Sequence, residues 1–520
     1  MYQFSTIDFV ALIVALSFAR VILHGKKRPV RRTIAVVVLG DVGRSPRMMY
    51  HAQSLAENQF NTYLIGYSGS TLIKALRELP NLTMLPLIPP PTFIGTLPRQ
   101  LFILVAPIKL VIQAISLVST LLFRMPTPEY ILVQNPPSIP TLVLVQLVCW
   151  LRGCKLVIDW HNLGYSILAL RLGEKHRLVK IAKFIERVFG RRAFLHLFVT
   201  DAMKKKLVLE WRLEGQTLTL HDRPPSHFRR STPVETHDLF NRLQSGLPAS
   251  VLSFLPKSHP PSTSPLTKTV SSTSIMSGFD PVFPVPSGII LREDRPALIV
   301  SSTSWTPDED FSLFLEMLQQ YELRAKQSRL PKLLALITGK GPLRDSYMKE
   351  IARLEKNDKW EWVRCVSVWL EPEDYPVLLG SADLGVSLHT SSSGLDLPMK
   401  VVDMFGCSLP VCALDFECLD ELVKDGVNGL TFKTAEELAD QVEKLFSNFP
   451  DTNQLDVLRQ GLQKRTRIST PSSMSDDDRS QWNDWTDNWN AFVRPVLLHD
   501  LTHTARHALN TLSEHTSSYK

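Results

Sequence analysis

Apolar positions along the chain fall into short unbroken runs, separated by loops rich in glycine, proline and charge. Thr33–Leu39 is a mainly β-branched and aliphatic run that ends at Gly40, the pattern of a buried parallel strand feeding a loop. A helix is predicted over Met48–Asn58 and a second strand over Thr62–Ile65. Further strands are predicted at Tyr130–Val133, Lys155–Ile158 and Leu195–Thr200. Strand, helix, strand in that order implies a parallel sheet with right-handed crossovers, so residues 33–230 read as one α/β domain. The alternation resumes with strands at Ala297–Ser301, Leu333–Thr338 and Leu384–Leu388 and helices at Phe311–Lys326, Leu343–Asn357 and Ala435–Phe446, so residues 296–480 read as a second such domain. Residues 231–295 read as a linker whose Ser- and Pro-rich stretch, 245–280, is expected to hold no fold. In the last segment, 481–520, Trp482, Trp485 and Trp489 recur at i, i+3 and i+7 and mark one face of a helix ahead of a polar tail.

Two apolar stretches are long enough to raise the question of a membrane. Phe4–Leu23 is long enough to cross a bilayer as a helix. Met1–Asp8 holds no basic residue, whereas Lys26, Lys27, Arg28, Arg31 and Arg32 come directly after the segment. These flanks fit a transmembrane anchor rather than a cleaved leader, and they keep the rest of the chain in the cytosol. Residues 1–32 are therefore read as anchor and basic flank. The second stretch, Leu101–Phe123, is interrupted by Pro107, Lys109 and Gln113. A crossing there would divide one domain between two sides of the membrane. The expectation is a helix lying in the interface or packed within the domain.

Composition narrows the class. A chain of 520 residues exceeds one ordinary core, and 44% apolar with 21% charged residues excludes wholesale disorder. The net charge of +7 is mild and partly N-terminal, which suits an anionic membrane surface or a phosphorylated substrate better than a nucleic-acid groove. The six cysteines form no CxxC pair and none lies at zinc-ligand spacing with histidine. They read as reduced thiols in a cytosol-facing protein, and no metal is inferred.

Parallel α/β sheets bind ligands beyond the carboxyl ends of their strands, so the loops there are the places for chemistry. The first is Gly40-Asp41-Val42-Gly43-Arg44-Ser45-Pro46-Arg47, in which glycines let a phosphate approach and two arginines supply bidentate charge. Its spacing is not GxGxxG, and the next strand ends in Gly66-Tyr67 with no acid for a ribose, which argues against a dinucleotide reductase. The second is Asp159-Trp160-His161-Asn162. In the other half, Thr338-Gly339-Lys340-Gly341-Pro342 joins a strand to a helix and sets Lys340 at a diphosphate's height, or simply in a solvated turn. Trp369 to Tyr375 offers an aromatic to a base. The richest stretch, His389 to Gly406, combines a hydroxyl-rich loop, a helix opening at Pro398, and Lys400 and Asp403 on one helical face. That pair reads either as an exposed ion pair or as a cation for phosphate beside a carboxylate for ribose hydroxyls.

The stretch Thr390–Gly406, together with Gly40–Arg47, Asp159–Asn162, Asp222-Arg223-Pro224-Pro225 and Ser301–Thr306, closely resembles the chitobiosyldiphosphodolichol β-mannosyltransferase family. The run Gly394-Leu395-Asp396-Leu397-Pro398-Met399-Lys400 is specific to it. The resemblance implies an α/β protein of GT-B fold, with two facing Rossmann-like domains and, here, an N-terminal transmembrane helix. It implies transfer of mannose from GDP-mannose, in β-1,4 linkage and with inversion, to dolichyl-diphosphate-linked chitobiose. This is the first mannosylation of the lipid-linked oligosaccharide for N-glycosylation, at the cytosolic face of the endoplasmic reticulum membrane. It implies no cofactor, membrane lipids as partners, and other mannosyltransferases of the same pathway as candidate partners. Inversion by single displacement needs a base, for which Asp41 and His161 are the candidates and Asp41 is preferred. Gly40, Gly43, Arg44 and Arg47 would hold the acceptor diphosphate; Lys340, Gly341, Ser393, Gly394, Lys400 and Asp403 would hold the donor. The chain departs from the Glu-x7-Glu motif of related retaining enzymes: Asp403 matches the second acid, but Leu395 stands at the first and Asp396 is one residue off. A catalytically silent scaffold and a transferase of another sugar are the rival readings; the charges kept in the loops favour an enzyme. The sequon Asn81-Leu82-Thr83 offers a test of which side the domain faces.

Overall fold

The computed structural model describes residues 32–89, 99–257, 264–270, 288–306, 309–328, 330–391, 393–462 and 484–498, with only the backbone of 99–106. The predicted anchor at Phe4–Leu23, Trp482 and, within the Ser/Pro-rich stretch, residues 258–263 and 271–280 lie outside the described residues. Among the described residues no helix is long and apolar enough to cross a membrane. The chain divides into two compact units, one running to His221 and resuming at Asn488, the other spanning Asp222–Asp487.

The first unit is a seven-stranded parallel sheet in the order β3-β2-β1-β4-β5-β6-β7. Its strands are β1 (Thr33–Asp41), β2 (Asn61–Tyr67), β3 (Leu82–Pro86), β4 (Tyr130–Asn135), β5 (Lys155–Trp160), β6 (Arg192–Phe198) and β7 (Glu214–Thr219). Central β1 is continuously apolar and its residues 34–37 are fully buried, as expected of a strand covered on both faces. The helices are α1 (Pro46–Glu57), α2 (Lys74–Arg77), α3 (Arg99–Phe123), α4 (Thr141–Arg152), α5 (Gly164–Leu172), α6 (Arg177–Gly190) and α7 (Asp201–Trp211). On α3, Gln113, Ser116, Leu117, Thr120 and Leu121 are buried at i, i+3, i+4, i+7 and i+8, so one face packs within the unit, while Ile108, Val111 and Ile115 point outward. The residues from 485 to 498 are helical and return the chain to this unit, where Trp489 is fully buried.

The second unit is a six-stranded parallel sheet in the order β12-β11-β10-β13-β14-β15. Its strands are β10 (Ala297–Ser302), β11 (Leu333–Thr338), β12 (Val363–Val368), β13 (Leu384–Ser387), β14 (Val411–Leu414) and β15 (Gly429–Phe432), and a short antiparallel pair, β8 (Thr267–Val270) and β9 (Gly288–Leu291), stands apart. The helices are α8 (Pro233–Gln244), α9 (Ala249–Phe254), α10 (Phe311–Ala325), α11 (Arg344–Asn357), α12 (Asp374–Ser381), α13 (Met399–Gly406), α14 (Ala435–Phe446) and α15 (Asn453–Gly461). Part of the expected linker is folded. Thr232 and Glu235 form a reciprocal capping box that opens α8, and Leu239, Phe240, Val251 and Phe254 join Leu298, Val300, Leu334 and Leu336 in one core. The signal was present in Thr232-Pro233-Val234-Glu235, but the neighbouring Ser/Pro composition masked it.

In each unit the strand order reverses beside the first strand, between β1 and β4 and between β10 and β13. Helices leave those strands toward opposite faces and open a crevice at the carboxyl ends, which is where the glycine-rich and polar loops emerge.

Candidate active site

In the first unit, Asp41 ends β1 and caps the short 3-10 turn Val42–Arg44. Its carboxylate accepts from the backbone N–H groups of Gly43 (3.2 Å), Gly69 (3.3 Å) and Ser70 (3.0 Å) and from the Ser70 hydroxyl (2.6 Å). Burial alone would raise its pKa, but the Ser70 hydroxyl and these amides outweigh it and hold the carboxyl below its ordinary value. Gly43 serves the same contact, because a Cβ there would lie 2.7 Å from Ser70 Cβ. Gly40 meets only ordinary contacts, at 3.8 Å. Arg44 is exposed, with Nε 3.5 Å from Asp41.

Arg47, by contrast, points inward and is buried. It donates from Nε and Nη2 to the two oxygens of Asp159, both at 2.9 Å, and from Nη1 to the Leu220 carbonyl at 2.8 Å. Asp159 is the hub of this end of the sheet. Burial works to raise its pKa, but Arg47, then His161 and His51, hold it well below the usual carboxylate range, so it is a buried anion. His161 Nε2 lies 2.8 Å from Asp159 Oδ2, with the imidazole about one-fifth exposed at 21%. An ionised carboxylate only accepts, so Nε2 carries the proton and Nδ1 is the basic nitrogen. The second imidazole is fixed in a similar way. Trp489 donates its indole N–H to His51 Nδ1 at 3.1 Å, which leaves the proton on Nε2, 3.2 Å from Asp159 Oδ2. Burial pushes the His51 pKa down despite Asp159, so this ring is neutral. His161 shares a loop with Asp159, but Arg47, His51 and the Trp489 that binds His51 are not legible in spacing, because they come from α1 and the far end of the chain.

A helix N-terminus often holds an anion, but that of α5 is already occupied. The buried Glu186 accepts from Gly164 N–H (2.9 Å), Tyr165 N–H (3.1 Å) and the Asn135 amide (2.7 Å). A cavity of about 330 Å³ lies at this end of β4, lined by Pro136, Ile139, Tyr165, Ile167, Leu168 and Arg171 among others.

In the second unit the loop after β10 meets the glycine loop after β11. Gly339 adopts φ +125°, and Cβ atoms at Gly339 and Gly341 would each fall 1.8 Å from a backbone oxygen, of Thr303 and Ser304 respectively. The two glycines thus let these loops close on each other. Lys340 is exposed and its ammonium stands 3.5 Å over the Trp369 ring. Glu309, which carries no motif in the sequence, organises the site. This buried carboxylate accepts from the Thr303 hydroxyl, from Ser304 N–H (2.6 Å) and from Lys400 Nζ (2.7 Å), and Lys400 also reaches Ser304 Oγ at 3.3 Å. Ser391 and Ser393 donate to Asp396, and Gly394 turns the loop at φ +70°. Asp396 therefore braces the loop that leads into α13. Asp403, one turn along α13, faces Asp222. Burial, with Asp222 adding like-charge repulsion, pushes its carboxyl up to about 8.

The structure therefore brings Ser304, Glu309 and Lys400 together in one unit, and Asp159, His161, His51 and Arg47 in the other. Two parallel, doubly wound α/β units with polar loops at their strand ends are the architecture of the GT-B fold. Solved structures agree on the fold: Anabaena HepE in complex with UDP and glucose (TM-score 0.54, 13% identity, 88% of this chain and 97% of that one) and the sucrose-phosphate synthase of Thermosynechococcus elongatus (TM-score 0.55, 12% identity, 92% and 100%). Residues 295–448 match the family model of glycosyl transferases group 1. The chain is 43% identical over 500 residues to the chitobiosyldiphosphodolichol β-mannosyltransferase of Homo sapiens, covering 94% of this chain and 98% of that one. It is also 43% identical over 437 residues to a protein of Arabidopsis thaliana named the UDP-glycosyltransferase TURAN, covering 81% and 90%. The chain belongs to the chitobiosyldiphosphodolichol β-mannosyltransferase family.

Proposed function

We propose that this glycosyltransferase moves mannose from GDP-mannose to dolichyl-diphosphate chitobiose, forming a β-1,4 linkage with inversion, at the cytosolic face of the endoplasmic reticulum membrane. The acceptor side belongs to the first unit and the donor side to the second. The observation that carries the chemistry is the Asp159–His161 pair. A buried anion holds the imidazole through Nε2, and Nδ1 is left to take the proton of the acceptor hydroxyl as it attacks the anomeric carbon. His161 is proposed as base ahead of Asp41. Asp41 accepts four hydrogen bonds and its proton affinity is lowered, which suits a loop brace better than a base. Arg44 is kept as an acceptor-diphosphate ligand and Arg47 is assigned to holding Asp159. On the donor side Lys400, with Lys340 and the opening turn of α13, takes the leaving diphosphate, Ser393 and Gly394 line its loop, and Asp403 takes ribose hydroxyls.

The test is transfer of labelled mannose by the purified full-length chain from GDP-mannose to a phytanyl-diphosphate chitobiose acceptor, run beside UDP-sugars. Transfer from GDP-mannose alone is expected. Transfer from a UDP-sugar instead would move the donor toward the name carried by the Arabidopsis relative and end the GDP-mannose reading.

A further inference from the structure

The two helices between β5 and β6 expose large apolar side chains among one sign of charge. Val179, Glu186 and Gly190 of α6 are buried and form its inward face. Its outward side carries Leu178, Ile181, Phe184 and Val188, exposed by 54%, 52%, 59% and 43%. At 3.6 residues per turn these four fall within roughly 120° of arc, opposite the buried three. On α5, Leu170 adds 65% exposure. Arg171, Lys175, Arg177, Lys180, Lys183 and Arg187 are exposed over the same span, against a single exposed acid, Glu174. Lys180 and Arg187 run along the margin of the apolar arc.

Right-handed crossovers place α3, α4 and α6 on one side of the sheet, and α1 and α2 on the other. Within that layer α6 packs on α4 and α4 on α3, and the layer also exposes Trp150 of α4 and Ile108, Val111 and Ile115 of α3. Soluble monomers seldom expose a contiguous apolar patch beyond a few hundred Å². Phe184 is the one exposed aromatic residue on these two helices, too few for a nucleic-acid stacking platform, whereas an apolar stripe bordered by lysine and arginine matches the boundary between acyl chains and anionic headgroups.

We propose that the α5–α6 face lies on an anionic bilayer, with Leu170, Ile181 and Phe184 at the acyl boundary and the flanking cations against lipid phosphates. This attachment is additional to any made by the N-terminal apolar segment. Full-length Ile181→Cys and Phe184→Cys proteins, labelled with a nitrobenzoxadiazole maleimide, would be placed in nanodiscs of phosphatidylcholine with and without phosphatidylserine. Lys74→Cys on α2 serves as the control, and wild-type protein sets the label background of the native cysteines. Blue-shifted emission and quenching by a nitroxide-bearing lipid are expected at 181 and 184, stronger with phosphatidylserine, with position 74 unaffected. The proposal fails if both labels stay in water in the anionic discs. It fails equally if the labels are blue-shifted in the anionic discs but the nitroxide-bearing lipid does not quench them, because a segment of the chain or a second copy would then be the cover.

Discussion

Arg47 and Asp159 form a bidentate ion pair inside the first unit, each nitrogen–oxygen distance 2.9 Å, with side chains only 3% and 0% exposed. It ties the start of α1 to the end of β5. Removing one partner leaves an uncompensated buried charge, which costs about 3–5 kcal/mol. Arg47→Ala should therefore lower the chemical-denaturation stability by that order, and Arg47→Lys should restore it only in part, because an ammonium lacks the planar fork. If Arg47 were instead a ligand of the acceptor diphosphate, Arg47→Ala would keep its stability and raise only the acceptor KM.

His161 and Asp41 separate by kinetics. A positioned base contributes about 10²–10⁴-fold, so His161→Ala should lower kcat by that range with little change in acceptor KM. Asp41→Asn keeps an acceptor oxygen for Ser70 and Gly43, and should retain turnover within a few-fold while loosening the loop at Gly69–Ser70. Steady-state rates of the two variants decide the matter. Wild-type turnover in His161→Ala beside a dead Asp41→Asn would restore Asp41 as the base.

Much of the framework was legible because both sheets are parallel and buried on both faces, so their central strands read as unbroken apolar runs: Leu333–Thr338 emerged with its observed bounds. Four-residue strands such as Val411–Leu414 and Gly429–Phe432 carry too little pattern to separate from loop. Glu214–Thr219 was missed for another reason, being a partly exposed edge strand without an apolar run. The loops were found, but not what each side chain does there. Arg44 and Arg47 look equivalent in sequence, yet the turn at Val42–Arg44 leaves one exposed and sends the other inward to Asp159. Glu309 carried no signal, because its partners Thr303, Ser304 and Lys400 are assembled by strand order rather than by spacing.

The glycine loop of the second unit should be intolerant even of alanine. At Gly341 the added Cβ would lie 1.8 Å from the Ser304 carbonyl oxygen, and that contact is backbone. Overpacking of this kind costs typically about 1–3 kcal/mol. Ser304 also contacts Lys400, so Gly341→Ala should weaken donor binding as well as folding. Lys400→Met should weaken donor binding by about 1.5–3 kcal/mol, the worth of a hydrogen bond to a charged group, and should also lower the melt because the buried Glu309 loses its cation. Calorimetric titration with GDP beside a thermal melt reads binding and folding separately. A Gly341→Ala protein with native melting and native GDP affinity would mean that these loops do not need their close approach.

Asp403 gives donor binding a pH dependence of definite sign. With its carboxyl pushed up to about 8 by burial and by Asp222, it is protonated at neutral pH in the unliganded protein. Ribose hydroxyls donate, and they favour the carboxylate over the acid. GDP affinity should therefore rise as pH climbs through about 8 and level off above it. Folding responds the other way. The folded state holds this proton more tightly than the unfolded chain, so the group's stabilising contribution is complete below about pH 4 and is lost as pH rises from there to about 8. Asp403→Asn cannot ionise. It should flatten both dependences, weaken GDP binding above the midpoint, and leave the protein relatively more stable in mild alkali than the parent chain. Calorimetric titrations with GDP on either side of the midpoint, with denaturation curves at the same pH values, measure both effects. A wild-type GDP affinity that stays flat across the midpoint would remove Asp403 from the ribose.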